Sequence, residues 1–234
     1  MLTIKIAGLA VGVDNRFRHI EWLARDYITD EPPLFTVSVT DDERLAEAAR
    51  SSGDFSDGYL ESTVAYRKIA EELPNYDAFV FHGAVLALDG RGYAFTARSG
   101  VGKTTHTRLW LSYFGERAEY INGDKPIIRF VDGTPYAFGT PWMGKESYGR
   151  NTSAALSGIA LLKRGEENRA ERIDPKGAVT ELLKQMYIPK RADTARRSLL
   201  LLAKLIESTP VIRLECNMEQ DAPAVAARGF GIEV

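Results

Sequence analysis

The chain has 234 residues, enough for a full core in one large domain or in one domain with a smaller appendage. Its 30 Lys and Arg nearly cancel 32 Asp and Glu, leaving a net charge of −2 that argues against general attraction to nucleic acid. A single cysteine, Cys216, excludes an intramolecular disulfide and fits a reducing compartment. No apolar run approaches the ~20 residues that cross a bilayer, and Met1-Leu2-Thr3-Ile4-Lys5 lacks a signal-peptide layout. A cytoplasmic protein without membrane or nucleic-acid partners is expected.

Residues 1–75 read as an N-terminal α/β subdomain. Leu2 to Val13 is strand-like and broken by Gly8 and Gly12; Phe17, Ile20, Leu23 and Tyr27 recur at helical spacing; Leu34 to Val39 alternates as a strand. Asp41 or Asp42 is positioned to cap a helix running to Arg50. A polar loop, Ser51 to Gly58, then leads into a helix from Tyr59 to Leu73, which Pro74-Asn75 ends. No linker rich in Pro, Gly or Ser follows, so this part is expected to pack on the remainder.

Residues 76–234 crowd short strands together. Ala78 to Phe81, Val85 to Leu88 and Gly92 to Ala97 are strand-like, the last two joined by the hairpin signal Asp89-Gly90-Arg91. A helix-like run from His106 to Tyr113 precedes a strand at Glu119 to Ile121. Ile127 to Val131 and Tyr136 to Phe138 form a second hairpin through Asp132-Gly133. Strands follow at Ile159 to Leu162 and Ala170 to Ile173, then a helix opened by Asp174-Pro175 and reaching Tyr187. A helix over Asp193 to Ser208 and a strand at Val211 to Glu215 close the pattern. The leucines of that helix suit a subunit contact, making a homo-oligomer, and core packing equally. Hairpins beside a glycine loop predict an α/β fold with a mixed sheet.

The segment Ala97-Arg98-Ser99-Gly100-Val101-Gly102-Lys103-Thr104 is a phosphate-loop pattern between a strand and a helix. Backbone N–H groups of such a loop surround phosphate oxygens, so Ser99, Gly100, Val101, Gly102, Lys103, Thr104 and Thr105 are the candidate nucleotide-binding residues. Lys103 reaches terminal phosphates and the Thr104 hydroxyl suits Mg2+, which makes ATP and Mg2+ the expected ligands. Ala97 stands where the usual pattern begins with glycine. Phosphoryl transfer also needs a carboxylate, and Asp124 in Asn122-Gly123-Asp124-Lys125-Pro126 follows an apolar strand, as a metal ligand or proton acceptor or merely as part of a surface turn. His82 ends a strand and suits an acceptor-orienting role. His106 is read either as a packing residue or as one facing the phosphates, and His19 as structural. The loop Gly139 to Glu146 either closes over the site, with Lys145 or Arg150 neutralising charge and Glu146 near a metal, or plugs the core with Trp142. Cys216, Trp22, Trp110 and Trp142 are expected in packing roles.

Together, His82-Gly83, Ser99 to Thr107, Asn122 to Pro126 and Gly139-Thr140-Pro141-Trp142 resemble uncharacterised bacterial proteins related to HPr kinase and phosphoenolpyruvate carboxykinase. Ser56-Asp57-Gly58-Tyr59-Leu60-Glu61-Ser62 and Cys216-Asn217-Met218 resemble the same small family. The resemblance implies a phosphoenolpyruvate carboxykinase-like nucleotide fold, with Lys103 as the loop lysine, Thr104 as the metal-binding hydroxyl and His82 as the histidine upstream of the loop. Asp124 matches the second of two adjacent acidic residues, and the chain departs from the family at the first, Gly123. The acceptor-binding signature of HPr kinase is missing, so HPr itself is not the expected substrate. Two readings follow. One is an ATP-dependent phosphotransferase with Asp124, His82 and Lys103 as catalytic residues, acting on a hydroxyl, such as that of a serine, of a peptide, protein or small molecule. The other is a nucleotide-binding regulator or scaffold with little or no catalytic activity.

Overall fold

The computed structural model describes residues 1–98 and 100–234. The chain starts with a hairpin, β1 (Leu2–Ile6) and β2 (Leu9–Asp14), turning at Ala7 and Gly8 with φ of 49° and 73°. Gly12 is no break: it lies within β2 opposite Thr3. Helix α1 (His19–Leu23) and a 3-10 turn, Arg25–Tyr27, carry the chain back to β3 (Phe35–Ser38), which runs parallel to β2. Helix α2 (Asp41–Arg50) is capped not by Asp41 or Asp42 but by Thr40, in a reciprocal capping box with Glu43. Helix α3 (Asp57–Glu72), capped by Ser56, begins two residues before the expected start.

The larger sheet has nine strands. In chain order its first strands are β4 (Ala78–Val80), β5 (Ala84–Leu88) and β6 (Arg91–Thr96). Helix α4 (Lys103–Phe114) follows, then β7 (Ala118–Asn122), β8 (Ile127–Val131) and β9 (Thr134–Phe138). β10 (Ser153–Arg164) is far longer than the expected Ile159 to Leu162, because three partners hold it. It pairs antiparallel with β9 at its start, then parallel with β6 and with β12 (Val211–Cys216). β11 (Arg169–Arg172) lies antiparallel against β12. Across the sheet the order runs β4-β8-β9-β10-β6-β5-β7. The sheet is therefore mixed, and both expected hairpins turn on Asp-Gly pairs with positive φ, at 89–90 and 132–133.

Alternation along the strands sends their side chains to two helical layers. Val85, Ala87 and Ala94 face α5 (Pro175–Leu183) and α6 (Ala192–Ser208) through Leu182, Leu201 and Leu205. Leu86, Leu88, Tyr93 and Phe95 face α4 through Trp110 and Phe114, with α7 (Ala222–Gly229) beside it. Helix α7 is not among the expected elements. Helix α5 stops at Leu183 instead of Tyr187 because the next residues pair with the β4 edge: Met186 bridges Phe81 and the Tyr187 amide donates to Val80. A third cluster joins the small sheet to the large one across α3, combining Ile4, Val11 and Val13 with Ala65, Ile69, Ala78 and Ile127. Trp110 is fully buried, but Trp22 is 62% exposed, contrary to its expected core role. Among the described residues, no helix is long and apolar enough to cross a membrane.

His106 resolves to the packing alternative. It is buried against Phe95, and neither ring nitrogen has a hydrogen-bond partner among the described residues. Burial pushes its pKa from 6.5 down to about 4. The folded state rejects the proton that the unfolded chain accepts, so stability falls as pH drops from about 6.5 towards about 4. That difference is worth about 1.4 kcal/mol per pH unit. Urea unfolding at pH 7 and pH 5 should therefore show the wild type losing about 2 kcal/mol more than His106→Leu. Equal losses in the two proteins would mean that His106 accepts its proton without cost.

Candidate functional site

Strand order explains why the candidate residues meet. β6, β5 and β7 are adjacent, with β5 antiparallel to both. The ends of β6 and β7 and the start of β5 therefore lie on one side. In register terms, Ala84 pairs with Phe95 and Val85 with Asn122. His82 precedes β5, the glycine loop follows β6, and Asp124 follows β7. The links are fastened together: Thr96 Oγ1 donates to His82 O at 2.7 Å and Gly83 N to Asp124 O at 3.0 Å. The His82 amide donates to Gln185 O at 2.6 Å.

Gly100 and Gly102 have φ of 79° and 120°, and Gly102 is the N-cap of α4 without a side-chain cap. The first α4 amide with a partner among the described residues is that of His106, bonded to Gly102 O at 2.9 Å. The first turn thus presents amides and the positive end of the helix dipole to the cleft. Arg164, at the end of β10, donates to Gly100 O and, from Nε, to Val101 O at 3.2 Å. In a planar trans peptide the N–H opposes the C=O, so this clamp turns the Gly102 amide away from Arg164. Thr104 and Thr105 are exposed, and the Thr104 hydroxyl has no partner among the described residues. Ser99 lies outside the described residues.

The Asp124 turn is built by a buried asparagine. Asn122 Oδ1 accepts the amides of Asp124 (2.9 Å) and Lys125 (2.8 Å), while its Nδ2 donates to Thr140 Oγ1 (3.0 Å) and Thr140 O (3.2 Å). Thr140 Oγ1 and Tyr66 Oη both donate to Lys125 O, at 2.9 Å and 2.7 Å. The segment is a turn, and it also aims Asp124 into the cleft. Asp124 Oδ1 lies 3.6 Å from Lys103 Nζ and 3.5 Å from His82 Nε2, and Oδ2 lies 2.8 Å from Lys125 Nζ. Lys103 Nζ is 3.4 Å from His82 Nε2. Burial alone would raise the Asp124 pKa, but the His82 hydrogen bond and the charges of Lys125 and Lys103 hold it well below the usual carboxylate range. Burial lowers the Lys103 pKa, a shift that Asp124 partly offsets.

These residues share a cleft of about 970 Å³ with α3 and the loop after β9. That loop lines the cleft, and its Trp142 is partly buried against the core. Trp142 stacks on Tyr66 at 4.0 Å and donates its indole N–H to Ser62 O, while Lys145 and Glu146 line the cleft. Arg150 does not line it and pairs with Glu119. The loop also covers Gly123, whose amide donates to Tyr148 O at 2.7 Å. A Cβ at Gly123 would stand 3.0 Å from Tyr148 O and 3.1 Å from Met143 O. Loop backbone is thus packed where a side chain at position 123 would emerge. Among the described residues, no three His, Cys, Asp or Glu cluster as metal ligands do. Cys216 is half-buried, and burial raises its thiol pKa, which suits packing rather than nucleophilic chemistry.

Sequence reading missed Arg164, because it acts on carbonyls and belongs to no pattern. It also missed the supporting roles of Asn122, Thr140 and Tyr66, although Asn-Gly-Asp is an Asx-turn signal.

No family model matches the sequence, and no curated protein matches it. Among solved structures, the chain is similar to the Hpr(Ser) kinase/phosphatase from Coxiella burnetii at 10% identity, over 65% of this chain and 88% of that chain, with a TM-score of 0.38. This is a distant structural resemblance and not a family assignment.

The crowding at Gly123 has a measurable consequence. Gly123→Ala should cost about 1–3 kcal/mol in denaturant unfolding, because backbone carbonyls, not flexible side-chain ends, must give way. Gly123→Asp should be destabilised at least as much. Unchanged stability in both variants would show that the covering loop yields freely.

Proposed function

We propose that the chain binds a nucleoside triphosphate with Mg2+ on the loop 98–105 and serves as a nucleotide-dependent regulator or scaffold with little turnover. The carrying observation is the convergence of the α4 first turn, Lys103 and Asp124 on one cleft whose lining is rich in cations. Arg98, Lys103, Lys125 and Lys145 line it against Asp124 and Glu146, in a chain of net charge −2, while the lining Arg67 and Lys184 are paired with Glu47 and Glu181. Such a lining favours a polyanion. The residues fit the metal too. Mg2+ is commonly held by one or two carboxylates plus phosphate oxygens, so Asp124 and the exposed Thr104 hydroxyl would suffice. When bound, the ion neutralises phosphate charge. Little turnover is favoured by the ion pairs of Asp124 with Lys103 and Lys125, which restrain it as a base.

A second reading, phosphoryl transfer from ATP to a hydroxyl, is favoured by His82. Its side chain is 45% exposed at the cleft and lies 3.5 Å from Asp124 Oδ1. An acceptor hydroxyl held there would meet a base oriented by a carboxylate. Asp124 would then act on the acceptor or the metal, and Lys103 on the charge of the moving phosphoryl.

Calorimetric titration with ATP and Mg2+ tests the first reading. Binding is expected, with at least tenfold loss in Lys103→Ala; absence of binding by both ATP and GTP overturns it. Adding γ-labelled ATP with serine-containing peptides, free serine and cell extract tests the second. Label on an acceptor, abolished in Lys103→Ala and reduced in Asp124→Asn by far more than ATP affinity is, would establish transfer. Binding without transfer leaves the regulator.

A further inference from the structure

Five positions of the segment Ser56 to Ser62 shape one surface beside the cleft. Ser56 accepts the Tyr59 amide as the α3 cap. Gly58 permits α1 to touch α3, since a Cβ there would lie 2.7 Å from His19 Cβ. Glu61 is 2% exposed and accepts the amides of Arg16 and Phe17 at 2.8 and 3.1 Å, fixing the approach to α1. Ser62 O holds Trp142. The product is an aromatic ledge. Phe55 stacks on Tyr59 at 4.8 Å, and His19 lies 6.1 Å from Tyr59 and 6.0 Å from Trp22. Trp22, Phe55 and Tyr59 are 62%, 42% and 43% exposed. Contiguous exposed aromatics mark interaction sites.

The ledge continues into the cleft, because His19 and Tyr59 are among its lining residues. Tyr59, Thr63, Tyr66 and Arg67 form one strip of α3 along that lining. Tyr66, whose hydroxyl bonds the carbonyl next to Asp124, is seven residues beyond Tyr59, a rise of about 10 Å along a helix. An extended peptide covers that distance in about three residues. A compact solute held at Asp124 would leave the ledge untouched; a peptide with an apolar side chain a few positions away would cover both.

We infer that the Phe55, Tyr59, His19 and Trp22 ledge docks a peptide through an aromatic or large apolar residue three or four positions from the residue that reaches His82 and Asp124. The inference rests on the nucleotide reading only for the position of the cleft. The peptide is the acceptor if phosphate is transferred and the bound partner if it is not.

The test uses fluorescently labelled twelve-residue peptides with a central serine in an Ala/Gly background and one Phe stepped through every other position. Anisotropy is read on the full-length protein and on Trp22→Ala and Tyr59→Ala, with ATP affinity measured in parallel. The expected result is at least tenfold tighter binding for Phe three or four positions from serine than for the Phe-free peptide. That gain should vanish in both variants at unchanged ATP affinity. Positional indifference, an unaltered gain in the variants, or a fall in ATP affinity that places the base on the ledge would each overturn the inference. Ledge-dependent binding without label transfer upholds docking and refutes the kinase reading. Transfer to free serine and to every peptide alike, indifferent to the ledge, does the reverse.

Discussion

The cleft depends on one buried side chain. Asn122, at the end of β7, satisfies two amides of the turn that follows it and spends its donors on Thr140, so a strand end, a turn and the loop after β9 become a single hydrogen-bonded unit. Tyr66 ties α3 to the same unit through Lys125 O. A buried polar group left unpaired is costly, so each partner constrains the others. Asp124 is held in position by the bonds that its own amide and that of Lys125 make to Asn122 Oδ1.

The electrostatics follow from that placement. Asp124 is drawn out of water, which by itself would favour its neutral form, and is kept ionised by His82, Lys125 and Lys103. Asp124 in turn offsets part of the lowering that burial imposes on the Lys103 pKa. The two groups stabilise each other's ionised states while no ligand is bound. Phosphate entering the cleft would compete with Asp124 for the same lysine. That competition links ligand binding to the carboxylate's freedom to contact metal or proton.

Much of this was legible in the sequence where local chemistry dictates backbone conformation. Asp89-Gly90 and Asp132-Gly133 announce hairpins because two successive positive φ angles are needed there. The glycine loop, His82 and Asp124 were legible because each stands at a strand end, and adjacent strand ends bring them together. Tertiary effects were not legible. Helix α5 stops early because β4 needs an edge partner, and β10 extends because three strands hold it. Helix α7, largely alanine, offers little hydrophobic contrast to read. Thr40 was overlooked as a cap because two aspartates follow it, although Thr40 with Glu43 is a capping-box pattern. Gly123 reads in sequence as a missing acid; in the structure it makes room for the carbonyls of Met143 and Tyr148.

The three tryptophans occupy three different surroundings. Trp110 is sealed between α4 and the sheet, Trp142 is pinned flat on a tyrosine at the cleft, and Trp22 stands in solvent on the aromatic ledge. Emission from an indole shifts and quenches with its contact to water and to neighbouring rings, so the chain carries its own spectroscopic reporters. One reads the core, one the loop over the cleft and one the outer face, and each can be isolated by replacing the other two with phenylalanine.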